Sequence, residues 1–379
     1  MPLIHSFLLL LICLVGCARA ATPIRGCYAT NWAQYRSGVG KFQLPGNYVN
    51  AICTHIFWAF AYVNSSFGVY PTDPSDLQPN GGYAQLRQLK QQQPGLKTLI
   101  SIGGASFDNS IFQSAASSAA NQQQFARNVL NFARQNGFDG VDIDWEYPTA
   151  GQKSSFTALM QAIKSQANGM LVTAAVSAGI PTVQQAYDLN GLKNAVDFLN
   201  VMTYDYHGSW DQQTGFLAPL YSGDTLNVNA TIQYFLQQGF PASKIVLGVP
   251  TYARGWTLAS SAANQQVGAA ASGPSPAGLI TQTAGILAYY EACQIVQNGA
   301  SVSWNQAARA PFMQRNNQWY TYENANAVSF LASYSKQTQL AGCFVWTIDF
   351  DDFAGSCSGG QKYPLLNMIA KYLVGQIFG

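Results

Sequence analysis

The sequence predicts an α/β chain folded as a (β/α)8 TIM barrel, with a small α+β insertion between strands seven and eight. Three observations carry that reading. Short apolar runs begin near Arg25, Thr54, Lys97, Asp139, Leu171, Phe198, Lys244 and Gly342, which makes eight strand candidates. Stretches with helical spacing lie between them; strands alternating with helices imply a parallel sheet, and eight such units can close into a barrel. One interval, from Tyr252 to about Ala325, is too long for a single strand-to-helix connection and is read as the insertion.

In chain order, the first element precedes the barrel. Residues 7–16 are apolar but too few to span a bilayer, and Ala18-Arg19-Ala20 has the small-x-small pattern of a cleavage site. Residues 1–20 are therefore expected to be a removable signal peptide and the product to be secreted. Leu14-Val15-Gly16-Cys17 also resembles a bacterial lipoprotein processing site, although such signals normally begin with basic residues. The barrel is expected over residues 21–252 and 326–379, and the insertion over 253–325. Within the barrel, residues 122–135 put Phe125, Val129 and Phe132 on one helix face, and residues 154–164 and 228–237 behave similarly. The insertion carries Trp256, Tyr289, Tyr290, Trp304, Trp319 and Tyr320. No later segment reads as transmembrane, and no separate module is expected after the barrel.

Composition limits the partners. The chain has 379 residues, 48% hydrophobic, which suits one large domain, or two small ones, with a sizeable core. Only 9% are charged, against about 25% in a typical domain. Lys plus Arg is 19 and Asp plus Glu is 17, and no basic run occurs. Nucleic acid and membrane surfaces are thereby disfavoured, and an uncharged partner is expected. Of seven cysteines, Cys13 and Cys17 leave with the leader, so Cys27, Cys53, Cys293, Cys343 and Cys357 remain. An odd number leaves one thiol over, and Cys343, inside an apolar run, is expected to be buried and inert. Asn64-Ser65-Ser66 and Asn229-Ala230-Thr231 are sequons compatible with glycosylation.

The most informative segment runs Phe138-Asp139-Gly140-Val141-Asp142-Ile143-Asp144-Trp145-Glu146-Tyr147-Pro148. On a strand, Asp142, Asp144 and Glu146 point one way while Val141, Ile143 and Trp145 point the other. In a barrel the shared direction is the interior, and Glu146 falls at the C-terminal mouth where active sites sit. Like charges about 7 Å apart along a strand favour shared protons and raise at least one pKa. A carboxyl kept protonated near neutrality is what a general acid requires. A solvated acidic loop would not alternate so strictly. A metal site lacks partners, because the histidines are His5, His55 and His207 and none is suitably spaced. Asp139, on the opposite phase, is expected to be structural.

The segment matches the Asp-x-x-Asp-x-Asp-x-Glu signature of glycoside hydrolase family 18, and the whole mature chain resembles the animal-type chitinases of that family. Tyr28-Ala29-Thr30-Asn31-Trp32, Ser101-Ile102-Gly103-Gly104, Met202-Thr203-Tyr204-Asp205, Tyr252-Ala253-Arg254 and Trp346 agree with it. The resemblance implies a barrel with an α+β insertion after strand seven, and a retaining, substrate-assisted hydrolysis of chitin or N-acetylglucosamine oligosaccharides. It implies Glu146 as acid, Asp144 holding the substrate acetamido N–H, Asp142 sharing a proton with Asp144, and Tyr204 orienting the acetamido oxygen. Trp346 is implied as the floor of the cleft, and Trp32 and Trp210 as linings of its outer parts. Tyr147, Met202, Gly103, Gly104, Ala105 and Ser106 are expected beside the substrate, and Asp205, Tyr252 and Arg254 to bond sugar hydroxyls or orient neighbours. Glu291 resembles an insertion residue that contacts acetamido or hydroxymethyl groups. The resemblance pairs Cys27 with Cys53 and Cys293 with Cys357. No cofactor or metal is expected, and the protein is expected to be a monomer. Two departures stand out: relatives usually carry Trp-Asn where this chain has Ala105-Ser106, and an acidic residue followed by Trp where it has Asp73-Pro74. A lectin on the same fold, which would normally have lost the acid, and an enzyme releasing N-linked glycans are the alternative functions.

Overall fold

The first apolar run forms β1 (Ile24–Thr30), and seven further strands complete a ring: β2 (His55–Val63), β3 (Lys97–Gly103), β4 (Gly140–Asp144), β5 (Leu171–Ser177), β6 (Phe198–Met202), β7 (Ile245–Pro250) and β8 (Gly342–Trp346). The computed structural model describes residues 22–262, 265–357 and 359–379; the expected leader, residues 1–20, lies outside them. Each strand starts within one residue of the position its apolar run marks. Neighbours pair in parallel, and β1 pairs with both β2 and β8, so the barrel is closed. A short strand, Val69–Pro71, adds antiparallel to the end of β2.

Alternation sorts the side chains into two layers. Tyr28, Phe57, Leu99, Phe198, Val246 and Phe344 fill the barrel interior. Ile56, Ile100, Val141, Ile143, Val172 and Val345 face outward, into the apolar layer beneath the helices. The helix Ala119–Gln135 opens with Ser118, whose hydroxyl accepts from the Asn121 N–H. It buries Phe125, Ala126, Val129 and Leu130, while Phe132 is only half-buried. Lys153–Gln166 and Val228–Gln237 are the other two helices that the spacing marks.

One strand breaks its own alternation. The register of β2 on β3 slips between Ala59, opposite Ser101, and Ala61, opposite Ile102. Before the slip Phe57 and Ala59 join the interior; after it Ala61 and Val63 belong to the outer layer, and Phe60 and Tyr62 turn towards the barrel mouth.

The insertion is an antiparallel sheet beside the barrel. Tyr252–Leu258 pairs with Ala271–Pro274, Ile286–Ala288 and Gln318–Tyr322, and the sheet continues through Ala310–Arg315 to Ser301–Asn305. Trp256, Trp319 and Phe312 form its own small core. A disulfide joins Cys27 to Cys53, and a second joins Cys293, on the lobe helix Tyr289–Gln297, to Cys357 beyond β8; Cys343 is free and buried. No helix among the described residues is long and apolar enough to cross a membrane.

Candidate active site

β4 ends at Asp144, and Glu146 lies two residues past it, half-buried at the mouth. Val141, Ile143 and Trp145 are buried against the helices, so the three carboxylates share the opposite side, as strand alternation requires. Asp142 is the deepest. Its Oδ2 accepts from Tyr28 Oη at 2.7 Å and Ser101 Oγ at 2.8 Å; its Oδ1 accepts from Thr173 Oγ1 at 2.6 Å and Asn200 Nδ2 at 3.4 Å. Burial pushes its pKa up, and the four donors work against that rise by stabilising the carboxylate.

Asp144 is built differently. It is buried, and its Oδ1 has no hydrogen-bond partner. Burial first, then the charges of Glu146 and Asp142, hold its carboxyl well above the ordinary carboxylate range. No hydrogen bond joins Asp144 to Asp142 among the described residues, whose donors to Asp142 all come from other side chains. The two buried acids therefore differ in their support: Asp142 accepts from four donors, whereas nothing bonds Asp144 Oδ1 and the charges beside it add to the upward push on its pKa. Glu146 is raised as well, by burial and by the charge of Asp205, with a bond from Tyr147 acting in the other direction. Tyr204 is half-buried, and burial, then Tyr252 and the nearby acids, push its phenol pKa well up, so it stays protonated and able to donate.

The backbone fixes these groups. Gly103 and Gly104 adopt φ of 112° and 94°, and the Gly104 N–H donates to the Asp144 carbonyl at 2.8 Å. A Cβ on Gly103 would run into that carbonyl, and one on Gly104 into the Phe60 ring. Asn109 Nδ2 donates to the Glu146 carbonyl at 2.9 Å, so the helix Asn109–Ala116 anchors the acid's main chain.

Around the acids lies a cleft of about 1020 Å³. Trp346, Tyr147, Met202, Tyr204, Asp205, Trp32, Tyr252, Arg254, Gly103, Gly104, Ala105 and Ser106 all line it with Asp144 and Glu146. Asp205 has a left-handed φ of 58°, held by Arg254 Nε and Nη2 at 2.8 and 2.6 Å and by Tyr252 Oη at 2.8 Å. Trp210 is 59% exposed, and the guanidinium of Arg254, which lines the cleft, lies over its ring at 5.0 Å. One expectation needs correction. Glu291 is buried, and its carboxylate is consumed by backbone: Oε1 accepts from the N–H of Ile280 and Thr281, and Oε2 from that of Ala288. It shapes the cleft wall at Ile280 and Thr281 rather than reaching a sugar.

Sequence reasoning assigned no role to Asn200, Thr173, Phe60, Tyr62 or Arg36. A signal exists for one: Ser101 and Thr173 sit directly opposite Asp142 on β3 and β5, so the register of its two neighbouring strands, once known, identifies two of its four donors. Arg36 donates to Asp349 at 2.6 Å and lines the cleft from the turn after β1. Asp139 bonds Thr98 and Lys90 away from the cleft, a structural place. His207 pairs with Asp211 at 2.9 Å. Among the described residues no cluster of His, Cys, Asp and Glu is arranged to hold a metal.

Comparisons with known proteins agree with this geometry. A probable endochitinase of Caenorhabditis elegans is 41% identical over 93% of this chain, which spans 61% of that relative's length. The crystal structure of an immunomodulatory active chitinase from Trichuris suis is 38% identical and superposes with a TM-score of 0.90, covering 93% of this chain and all of that one. Human YKL-39, described as a pseudo-chitinase with retained chitooligosaccharide binding, is 34% identical with a TM-score of 0.88 over 94% of this chain and 100% of its own. The family model described as glycosyl hydrolases family 18 matches residues 25–351, carboxylate strand included, and the chain belongs to that family.

Proposed function

We propose that the protein is a chitinase that hydrolyses β-1,4 bonds between N-acetylglucosamine units, cutting within the chain and retaining the anomeric configuration. The observation that supports this most is the contrast between Asp142 and Asp144. One carboxylate accepts from four donors, and the next is buried, with its Oδ1 unpartnered and its pKa held well above the ordinary range, two residues before Glu146.

Family 18 is an established exception to the two-carboxylate scheme, in which the second carboxylate lies across the sugar from the first. Asp144 shares a strand side with Glu146, which suits it to hold an amide rather than to attack carbon. Glu146 donates its proton to the glycosidic oxygen as the bond to the anomeric carbon breaks. The substrate's acetamido carbonyl oxygen forms the new bond there, giving an oxazolinium ion. Asp144 accepts from the acetamido N–H, and its proton moves towards Asp142 as positive charge develops. Tyr204 donates to the acetamido oxygen and orients it. Water, deprotonated by the now ionised Glu146, opens the ring on the face the leaving group left. Trp346 offers an apolar ring to the C–H face of the reacting sugar. The chain begins with a segment that reads as an export leader, which supports action outside the cell.

Glu146→Gln keeps the shape and loses the proton, so hydrolysis of chitin hexamer should fall at least ~100-fold while hexamer binding survives. Product analysis on the hexamer checks both. Near-normal turnover in Glu146→Gln would sink the mechanism. Hexamer binding without cleavage by the wild type would make the protein a lectin, and cleavage of a high-mannose glycoprotein in place of chitin would make it a glycan-releasing enzyme.

A further inference from the structure

The register slip in β2 delivers two aromatic residues to the cleft, and the reaction above uses neither. Phe60 is the lower one. It joins a row of near-parallel rings, 6.1 Å and 28° from Trp32 on one side, 5.8 Å and 28° from Trp346 on the other. Tyr62 lies two residues further out, half-buried, also lining the cleft.

Tyr62 is held from behind. Phe107 packs on it at 5.1 Å and 57°, and Tyr70 at 6.3 Å and 84°. Phe107 is itself fixed, by an edge contact to Phe112 at 4.8 Å and by its N–H donating to Gly104 at 2.9 Å. The ring is thus pre-oriented, and a ligand landing on it would freeze few torsions. Burial, and then Tyr70, push the phenol pKa up, so the hydroxyl stays protonated and can donate.

The neighbouring wall cannot do this. Residues 103–106 line the cleft with two glycines, a methyl and a hydroxymethyl. A sugar passing over them meets backbone and very little apolar area. Tyr62, packed on the phenylalanine that ends this wall, supplies a flat ring with a free polar tip. That combination suits a pyranose, whose C–H face is apolar and whose edge carries hydroxyls.

We propose that Tyr62 is a sugar-binding platform, taking one N-acetylglucosamine unit of an oligosaccharide that overhangs residues 103–106 and so favouring longer chains. This rests on the reading of the cleft as an oligosaccharide site. The contribution depends on ligand length: a dimer seated over Trp346 does not need the platform, and a hexamer that fills the cleft does.

The test uses the full chain carrying Glu146→Gln, with binding of chitin dimer and hexamer measured by calorimetry. Adding Tyr62→Ala should weaken hexamer binding ~10-fold and dimer binding less than ~2-fold, the size expected for one stacked ring. Tyr62→Phe keeps the ring and should lose only ~2–3-fold on the hexamer, the hydroxyl's share. Tyr62→Leu guards against collapse of the site: it covers Phe107 without a flat face and should behave like Tyr62→Ala. If both truncations bind hexamer as the Glu146→Gln parent does, or weaken dimer and hexamer equally, this inference is overturned while the cleft reading stands. A parent that binds no oligomer overturns both.

Discussion

At the scale of single residues, Asp144 illustrates how a catalytic arrangement is set against stability. Its proton is held more tightly in the folded chain than in the unfolded one, where a carboxyl titrates near ~3.9. Below that pH both states carry the proton and nothing is lost. Above it the unfolded state releases a proton that the folded state keeps, so stability falls as pH rises towards the elevated folded value. Asp144→Asn removes the penalty along with the acid. We expect it to cut turnover at least ~100-fold, yet to gain stability relative to the wild type as pH is raised from about 4 to 7; urea unfolding at both pH values reads the difference. A stability gap that does not widen with pH would mean Asp144 is ionised in the folded protein. Much of this was legible in the sequence, because the alternation around Asp142 and Asp144 dictates which side chains share a face. What each acid meets was not. Four donors around Asp142 and none at Asp144 Oδ1 depend on which residues of β1, β3, β5 and β6 stand level with them.

At the scale of elements, the strands were legible because each is an apolar run long enough to be buried on both faces. The slip in β2 was not, since its cause lies in pairing with β3 and the run His55–Val63 reads as uniformly apolar. The lobe wall shows the same limit. Glu291 looks like a polar residue free to meet a ligand, yet the chain around it presents three N–H groups to its carboxylate. Glu291→Gln replaces one accepting oxygen with an amide donor facing a backbone donor. Leaving a buried N–H unmet costs about 1–3 kcal/mol, and here it should loosen Ile280 and Thr281. We expect a lower melting temperature and weaker hexamer binding, with turnover at saturating substrate little changed. A fall in turnover alone, with binding intact, would return Glu291 to the chemistry.

At the scale of the whole molecule, a closed barrel carries an inserted lobe that must be kept in place. The salt bridge of Asp205 with Arg254 joins the end of β6 to the first lobe strand at the cleft rim, and the Cys293–Cys357 bridge ties the lobe helix Tyr289–Gln297 to the segment beyond β8. Closing a loop of 64 residues is worth roughly 4 kcal/mol in the chain-entropy model. Cys357→Ser together with Cys293→Ser should therefore lower the melting temperature, with protease cuts appearing first within residues 253–325; cuts spread evenly over the barrel would contradict this. Ring closure also has a consequence in time. β1 needs β8, and Gly342 is the last strand's first residue, facing Ile24 across the seam. During synthesis the growing chain can assemble seven strands and most of its helices while two ladders of amide groups stay exposed on either side of the gap. Until β8 closes the seam the sheet has two open edges, and open edges are where strands of other chains can pair.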